Sequence, residues 1–566
     1  MSIELQRSDR MLVDAIIRRF AQQPVDDALR AVLHGLAAMS RLDHVAVDLD
    51  GDDPHEWAGE LSGPAVRGLL EHRDDLCDVV DNDTVVTSVG APLVFLANRF
   101  LYLRRLAAAE ERIARILSEA RDEVTPLIDG VGEVDFEAAA HAIGVTVPHV
   151  QRIAQLLNDR KVSILTGGPG TGKTWSTARA LRVIDELAAV RGASSLRFAI
   201  TAPTAKAERR ASESLRASSA GEWRTLSQDA ERSGTLYGLL GVTPDNLSNA
   251  TLPAVDIIIV DEVSMADLPV LDALFTAARA SSRNCHILLV GDPDQLASVN
   301  VGAVLADVVE ERADMESLIT RLEVVQRTKN NALPELAGAI RSVRENKAAV
   351  EAVVSLLASS EPQIRFVERP SDQQLQERVF QHARRLVHTA RRGDIELALL
   401  LTRALAVLSA THRGLGSVRY WNELVRAHLE EHHLATPGQF MVGQPVLVTR
   451  NQRSLDVFNG DLGVVVLQDN LLHVAFANRP LIPLAEVGYL VPAWAMTIHK
   501  SQGSEYREVI ACLPSDDSPL LTAELVYTAA TRAIRKLTVM GTEKALRKAV
   551  SRRVSRVSGL AYRLSR

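Results

Sequence analysis

The sequence predicts an α/β protein with parallel sheets, on three observations. From about Val145 the chain repeats one texture, a short β-branched or apolar run, then a polar loop, then a helical stretch, seen in VSILTGG, RFAITAPT, DIIIVDE and HILLVGD. Strands that read as continuous apolar runs and alternate with helices belong to parallel sheets covered on both faces. A second alternating region starts near Leu397 and runs to the C-terminus. The run VSILT also feeds directly into a glycine-rich loop and a helical pattern, the setting of a phosphate site.

Taken in order, the 566 residues exceed the size at which one hydrophobic core stops growing, so several domains are expected. Residues 1–125 read as a mostly helical domain. In LRRLAAAEERIARIL, Leu106, Ala109, Ile113, Ile116 and Leu117 follow the three-four spacing of one helical face. Residues 126–335 form a first α/β domain and residues 336–566 a second. Between about Phe440 and Glu486 the runs QPVLVTR, LGVVVLQ and LLHVAFA are separated by Asn459-Gly460 and Asp469-Asn470, with little helical spacing. That pattern predicts a small β-barrel inserted at about 440–486 of the second domain.

Composition narrows the class. With 46% apolar and 24% charged residues, the chain reads as an ordinary folded protein. Its longest apolar stretch, Leu397 to Ala410, is broken by Thr402 and Arg403 and falls short of the ~18 residues of a membrane span. The N-terminus mixes charges without an apolar secretory core, so a cytoplasmic location is expected. Cys77, Cys285 and Cys512 lie far apart and spell no zinc or disulfide framework. A net charge of −7 argues against coating nucleic acid by bulk charge. Asp43 to Asp83 carries 13 acidic residues against 2 basic, and Arg532 to Arg566 carries 11 basic against 1 acidic. The two stretches read equally well as faces for oppositely charged partners or as solvated surfaces.

The chemistry concentrates at strand ends. Gly167-Gly168-Pro169-Gly170-Thr171-Gly172-Lys173-Thr174 matches GxxxxGK[ST] after a strand and before a helix. Its glycines let backbone N–H groups wrap phosphates, Lys173 reaches the β- and γ-phosphates of ATP, and Thr174 offers a hydroxyl to Mg2+. DIIIVDE ends a buried strand in two carboxylates, a pair that is costly without a cation. In that place Asp261 holds the Mg2+ shell while Glu262 orients and deprotonates the attacking water. The next strand ends in Asp292-Pro293-Asp294-Gln295, which puts Gln295 in position to sense the γ-phosphate.

GGPGTGKT, APTAKA (Ala202 to Ala207), DEVSM (Asp261 to Met265), GDPDQLASV (Gly291 to Val299), TIHKSQGSEY (Thr497 to Tyr506) and VYTAATRA (Val526 to Ala533) follow one another in the order of superfamily 1 helicase motifs. The chain resembles the RecD family, the alpha subunits of exodeoxyribonuclease V (RecBCD). HVAVDLD and APLVFLANRFLYLRRL also resemble that family's N-terminal region. The resemblance implies two RecA-like domains, ATP-driven 5′-to-3′ translocation on single-stranded DNA, and assembly with RecB-like and RecC-like subunits through the N-terminal domain. It also implies that Gln151 recognises adenine, that Arg327 and Arg532 reach the γ-phosphate from the second domain, and that Gly503 and Glu505 link the nucleotide and DNA grooves.

The same resemblance places Pro203, Thr204, Lys206, Thr235, Tyr237, His499, Lys500 and Ser501 on the DNA or at the domain boundary. Polar residues after strands also serve as caps, and that reading stays open for Thr204, Thr235 and Ser501. Tyr237 stands where the family usually has histidine, and Ile534 where a basic residue is common. The segment Gly241 to Pro253 is short for the wedge-like hairpin of relatives. Two further readings remain, a free-standing helicase of the same kind and an ATP-switched structural subunit.

Overall fold

The computed structural model describes residues 5–50, 63–81, 84–97, 99–193, 196–218, 226–228, 234–297, 301–310, 313–323, 332–343, 349–359, 361–435, 438, 440–554 and 556–565. Arg327, Ser298, Val299 and part of the acidic stretch lie outside them. The N-terminal region comprises α1 (Arg7–Phe20), α2 (Asp27–Arg41), β1 (Ala46–Asp48), α3 (Gly63–Leu70), β2 (Cys77–Val80), β3 (Leu93–Leu96), β4 (Phe100–Leu103) and α4 (Arg104–Asp122). The region expected to be mostly helical therefore also carries a four-stranded sheet of order β1-β4-β3-β2. Its strands are only three or four residues long, and β3 and β4 are buried throughout, so no alternation marks them.

Next come α5 (Glu133–Ala142), α6 (Pro148–Asp159), β5 (Val162–Gly167), α7 (Lys173–Val190), β6 (Leu196–Ala202), α8 (Ala205–Ser218), β7 (Leu226–Gln228), β8 (Gly234–Thr235) and α9 (Leu236–Leu240). They are followed by β9 (Ile257–Val260), α10 (Leu268–Arg279), β10 (His286–Gly291), α11 (Val304–Glu310) and β11 (Ile319–Leu322). The strands form a parallel sheet of order β11-β5-β10-β9-β6-β7, with β8 also paired to β6. The strand of the glycine-rich loop, β5, is thus flanked by β10, and β9 with its two carboxylates lies one strand further out.

The remaining elements are α12 (Ala332–Ser342), α13 (Ala349–Ala358), β12 (Ile364–Val367), α14 (Gln373–Arg391), α15 (Ile395–Thr402), β13 (Leu405–Ser409) and α16 (Val418–Glu431). After them come β14 (Pro445–Val448), β15 (Leu462–Gln468), β16 (Leu471–Phe476), β17 (Ile482–Pro483), β18 (Leu490–Pro492), β19 (Ala495–Thr497) and β20 (Tyr506–Cys512), then α17 (Ala523–Thr531), β21 (Ala533–Met540), α18 (Glu543–Ser551) and α19 (Leu560–Leu564). A second parallel sheet has the order β12-β21-β20-β13-β19. The insertion is a five-stranded antiparallel sheet, β17-β16-β15-β14-β18, running to Pro492 with β17 and β18 at its edges among the described residues. Asp469 and Asn470 (φ 51° and 61°) make the tight β15–β16 hairpin, as an Asp-Asn pair tolerates. Val465 points into the insert's own core, while Val464 and Val466 pack toward the helices of the second parallel sheet.

The N-terminal region shares a core with the first parallel sheet. Leu106, Ile113 and Leu117 of α4, Leu271 and Phe275 of α10, Ile258 and Ile287 of the sheet, and Leu560 and Leu564 of α19 belong to one apolar cluster. Each fully buried Leu or Ile here contributes about 1.5–3 kcal/mol. Ion pairs staple its rim, Arg112 to Asp272 at 2.6 Å and Arg279 to Glu119 at 2.8 Å.

Within that core lies Glu110, with no exposed surface. It accepts from Tyr102 Oη at 2.8 Å, Arg563 Nε at 3.2 Å and Gly559 N at 3.1 Å. Burial is the largest influence and raises its pKa, with Arg563 opposing the rise. Arg563→Met leaves this carboxylate buried without its cation and is expected to destabilise the fold by about 3–5 kcal/mol, whereas Glu110→Gln combined with Arg563→Met recovers most of the loss. Urea unfolding of the two variants checks this, and an unchanged midpoint for the single variant would refute it.

Candidate functional site: an interdomain nucleotide cleft

The glycine-rich loop leaves the C-terminal end of β5 and turns into α7 through Gly170 (φ 75°) and Gly172 (φ 89°), a left-handed geometry that side chains rarely adopt. Thr171 Oγ1 donates to Gly168 O at 2.8 Å and steadies the turn. Lys173 opens α7, and its ammonium donates to the carbonyls of Gly167 (2.5 Å) and Gly168 (3.2 Å). The backbone N–H groups at the start of α7 and this cation together make an anion cradle.

Asp261 and Glu262 follow β9. Glu262 sits at φ 50°, ψ 40°, strained for a residue with a side chain, and its N–H donates to Asp261 Oδ1 at 3.0 Å. Burial, then the neighbouring Glu262 carboxylate, raises the Asp261 pKa, while Lys173 lowers it. The two carboxylates and Thr174 line one cleft, and carboxylate and hydroxyl oxygens make a donor set that suits Mg2+.

Gln295 and Arg532 close the cleft from opposite sides. Arg532, 2% exposed at the end of α17, which packs on β20 and β21 of the second parallel sheet, donates to Gln295 Oε1 at 3.1 Å and to Ser504 O at 3.3 Å. Gln295 belongs to the loop after β10, so the expected sensor and the expected finger touch. Leu296 N donates to Thr528 Oγ1 at 2.8 Å, and Gln502 Nε2 donates to Leu296 O at 3.0 Å. The resulting cleft of about 200 Å³ is lined by Gly168, Pro169, Gly170, Gly172, Lys173, Thr174, Asp261, Glu262, Gln295, Gly503, Glu505 and Arg532.

Two features of this cleft were not anticipated. Arg210, four residues after Lys206 on α8, donates to Gly503 O at 3.0 Å and pairs with Glu505 at 3.3 Å. The i,i+4 spacing from Lys206 was a usable signal for it. Trp175, 41% exposed, also lines the cleft with the Arg179 guanidinium 5.5 Å from its ring.

The other predicted positions are placed as follows. Gln151 lies on α6, packed against α7, and is half-buried. Pro203 and Thr204 follow β6, where Thr204 Oγ1 accepts from Ala207 N at 3.3 Å. Thr235 Oγ1 accepts from Gly238 N at 3.2 Å, and Ser501 Oγ donates to Ile498 O at 2.6 Å. All three hydroxyls therefore make local backbone bonds. Tyr237 is half-buried against the shared core, its pKa pushed up to about 12 by burial and then by Asp267, with which its hydroxyl pairs. His499 and Lys500 form a short 3-10 turn after β19, and burial lowers the pKa of both. Lys206 lines a neighbouring cleft of about 410 Å³ with Arg209, Arg403, Arg479 and Arg507. Desolvation lowers its pKa to about 8 against the pull of Asp461. The segment 241–253 holds one 3-10 turn and no strand.

Two parallel sheets meeting over a glycine-rich phosphate loop, with a carboxylate pair from one and an arginine from the other, define a helicase-type nucleotide cleft. Residues 150–360 match the family described as an AAA domain, and residues 492–540 match the UvrD-like helicase C-terminal domain. The "RecBCD enzyme subunit RecD" of Mycolicibacterium smegmatis is 36% identical over 527 residues, covering 91% of this chain and 88% of that protein. The protein of the same name from Mycobacterium tuberculosis is 37% identical over 488 residues, covering 82% and 80%. The "ATP-dependent RecD2 DNA helicase" of Deinococcus radiodurans is 28% identical over 479 residues, covering 82% of this chain and 58% of that protein. The chain belongs to the RecD family.

Because Arg532 is already buried and bonded on both sides of the cleft, its loss should fall on rate more than on affinity. Arg532→Ala is expected to slow single-turnover ATP hydrolysis on the order of 10²–10³-fold while ATP binding shifts only a few-fold. An unchanged rate would place the arginine outside the reaction.

Proposed function

We propose that this chain is the ATP-hydrolysing DNA helicase subunit of a RecBCD-type complex, with RecB-like and RecC-like partners, acting at DNA ends. The observation that carries this reading is the Arg532–Gln295 contact, which joins the second parallel sheet to the loop beside the phosphate cradle. Lys173 and the loop amides bind the phosphates, Thr174 and Asp261 hold Mg2+, and Glu262 accepts the proton of the attacking water. Bound Mg2+ would supply charge neutralisation to the phosphates. Arg532, and Arg327 by family resemblance, meet the charge that spreads onto the γ-phosphoryl group. Gln151 reads the adenine.

Movement follows from the two-sided cleft. ATP gripped by Lys173 on one side and Arg532 on the other favours closure, and its hydrolysis removes the bridge. Thr204, Lys206, Thr235, Tyr237, His499, Lys500 and Ser501 lie on the proposed DNA path, tracked 5′ to 3′, with the antiparallel insert at its side. Gly503 and Glu505, held by Arg210, connect that path to the cleft.

Lys173→Ala is expected to abolish ATPase activity and single-strand translocation without unfolding the chain. Glu262→Gln should retain ATP binding and lose hydrolysis by about 10²-fold or more. Equilibrium nucleotide binding beside DNA-stimulated turnover separates the two, and equal loss of binding in both variants would mean that their roles are misassigned. Displacement of a block from the 3′ end but not the 5′ end of a single strand tests the polarity.

A further inference from the structure

Besides the Leu296–Thr528 bond, two side-chain contacts join the loop after β10 to α17 and its C-terminal end. In front, Arg532 donates to Gln295 Oε1 at 3.1 Å. Behind it, Tyr527 on α17 donates its hydroxyl to Asp292 Oδ2 at 3.0 Å, the same oxygen that takes Gln295 Nε2 at 3.2 Å. One carboxylate oxygen thus binds Tyr527 and Gln295 together. Asp292 has no exposed surface and Tyr527 is 1% exposed, so water does not compete for these bonds.

Arg341 on α12 completes the arrangement. Its Nη2 donates to Tyr527 Oη at 2.8 Å, and its Nε lies 2.6 Å from Asp294 Oδ2 as an ion pair without hydrogen-bond alignment. A Cβ on Gly168 would stand 2.9 Å from Arg341 Nη2 and 3.0 Å from Tyr527 Oη, so both side chains rest on the backbone of the phosphate loop. Burial and the Asp292 carboxylate raise the Tyr527 pKa well above its ordinary value, which keeps its hydroxyl a donor.

We propose that Tyr527 and Arg341 are positioning residues that hold Gln295 in register with Arg532 through Asp292. This rests on the reading of the cleft as the hydrolysis site. With its Nε2 fixed on Asp292, the Gln295 amide can present only Oε1 to the arginine. Without the tyrosine hydroxyl, Asp292 keeps donors only from its own loop and is no longer anchored to α17, so Asp292 and Gln295 can shift together out of register with Arg532. The consequence falls on the chemical step, since neither side chain lines the cleft that Lys173 and Arg532 share.

The test is a double-mutant cycle on the full chain, read by single-turnover hydrolysis, equilibrium ATP binding and thermal midpoint. Tyr527→Phe keeps the ring and should slow hydrolysis on the order of ten-fold, with ATP binding within about two-fold. Added to Gln295→Ala, it should slow hydrolysis no further, because both act through one contact. Arg341→Gln, on a side chain 41% exposed, is expected to show the same non-additivity and serves if Tyr527→Phe folds poorly. Additive losses, or an unchanged rate in Tyr527→Phe, would overturn the proposal. Normal hydrolysis by both Lys173→Ala and Gln295→Ala would instead overturn the hydrolysis-site reading beneath it.

Discussion

A carboxylate with no exposed surface, Asp292, sits where the two parallel sheets meet, and the geometry of the cleft follows from its need for donors. An unpaired buried carboxylate costs several kcal/mol. Asp294 N and Gln295 Nε2 supply two of its bonds from its own loop, and the Tyr527 hydroxyl supplies the third from the other half of the molecule. Once that third bond is made, Thr528 meets Leu296 N and Arg532 meets Gln295 in the same register. Directional bonds of this kind are made or lost as a set, whereas an apolar contact could slide. An interface with two discrete arrangements is what a motor needs if nucleotide chemistry is to drive a step.

Much of this was legible in the sequence. Parallel strands betray themselves as uninterrupted apolar runs, and ligand-facing residues of such sheets collect at strand ends, so Lys173, Asp261, Glu262 and Gln295 could be read as one constellation before any coordinates. The lateral order of the strands could not. Strand β10 lies between β5 and the carboxylate strand β9, and hydrogen-bonded order of this kind is decided by crossovers that leave no local mark. Arg341 was missed because an arginine on a helix looks the same whether it faces water or a cleft, and Arg210 was marked only by its i,i+4 spacing from Lys206. The hydroxyls of Thr204, Thr235 and Ser501 show the converse, since the structure engages each in a local backbone bond. The short strands β1 to β4 carry too few residues to establish a period.

The charge asymmetry of the two ends has a structural counterpart that neither the partner reading nor the solvated reading foresaw. The basic C-terminal stretch runs back to the N-terminal region. There Arg556 pairs with Asp43 at 3.4 Å and Val557 O receives Val45 N at 3.0 Å, while Ser558 donates to Asp307 on α11 of the first parallel-sheet domain at 2.7 Å. On the way Arg553 pairs with Glu524 at 3.3 Å and donates to Arg341 O at 3.2 Å. Some of the opposite charges therefore neutralise each other, and the tail passes the nucleotide cleft before it reaches the N-terminal region.

Vectorial synthesis gives this tail a temporal meaning. The ribosome releases α4 early, with Glu110 destined for full burial, yet two of the three groups that satisfy it, Gly559 N and Arg563, lie 449 and 453 residues further along, and only Tyr102 precedes it. Until Gly559 and Arg563 are translated, that carboxylate has to stay hydrated or the core around it has to stay loose. The core around α4 is thus among the last to reach its final packing, and the emergence of α19 acts as the signal for its closure.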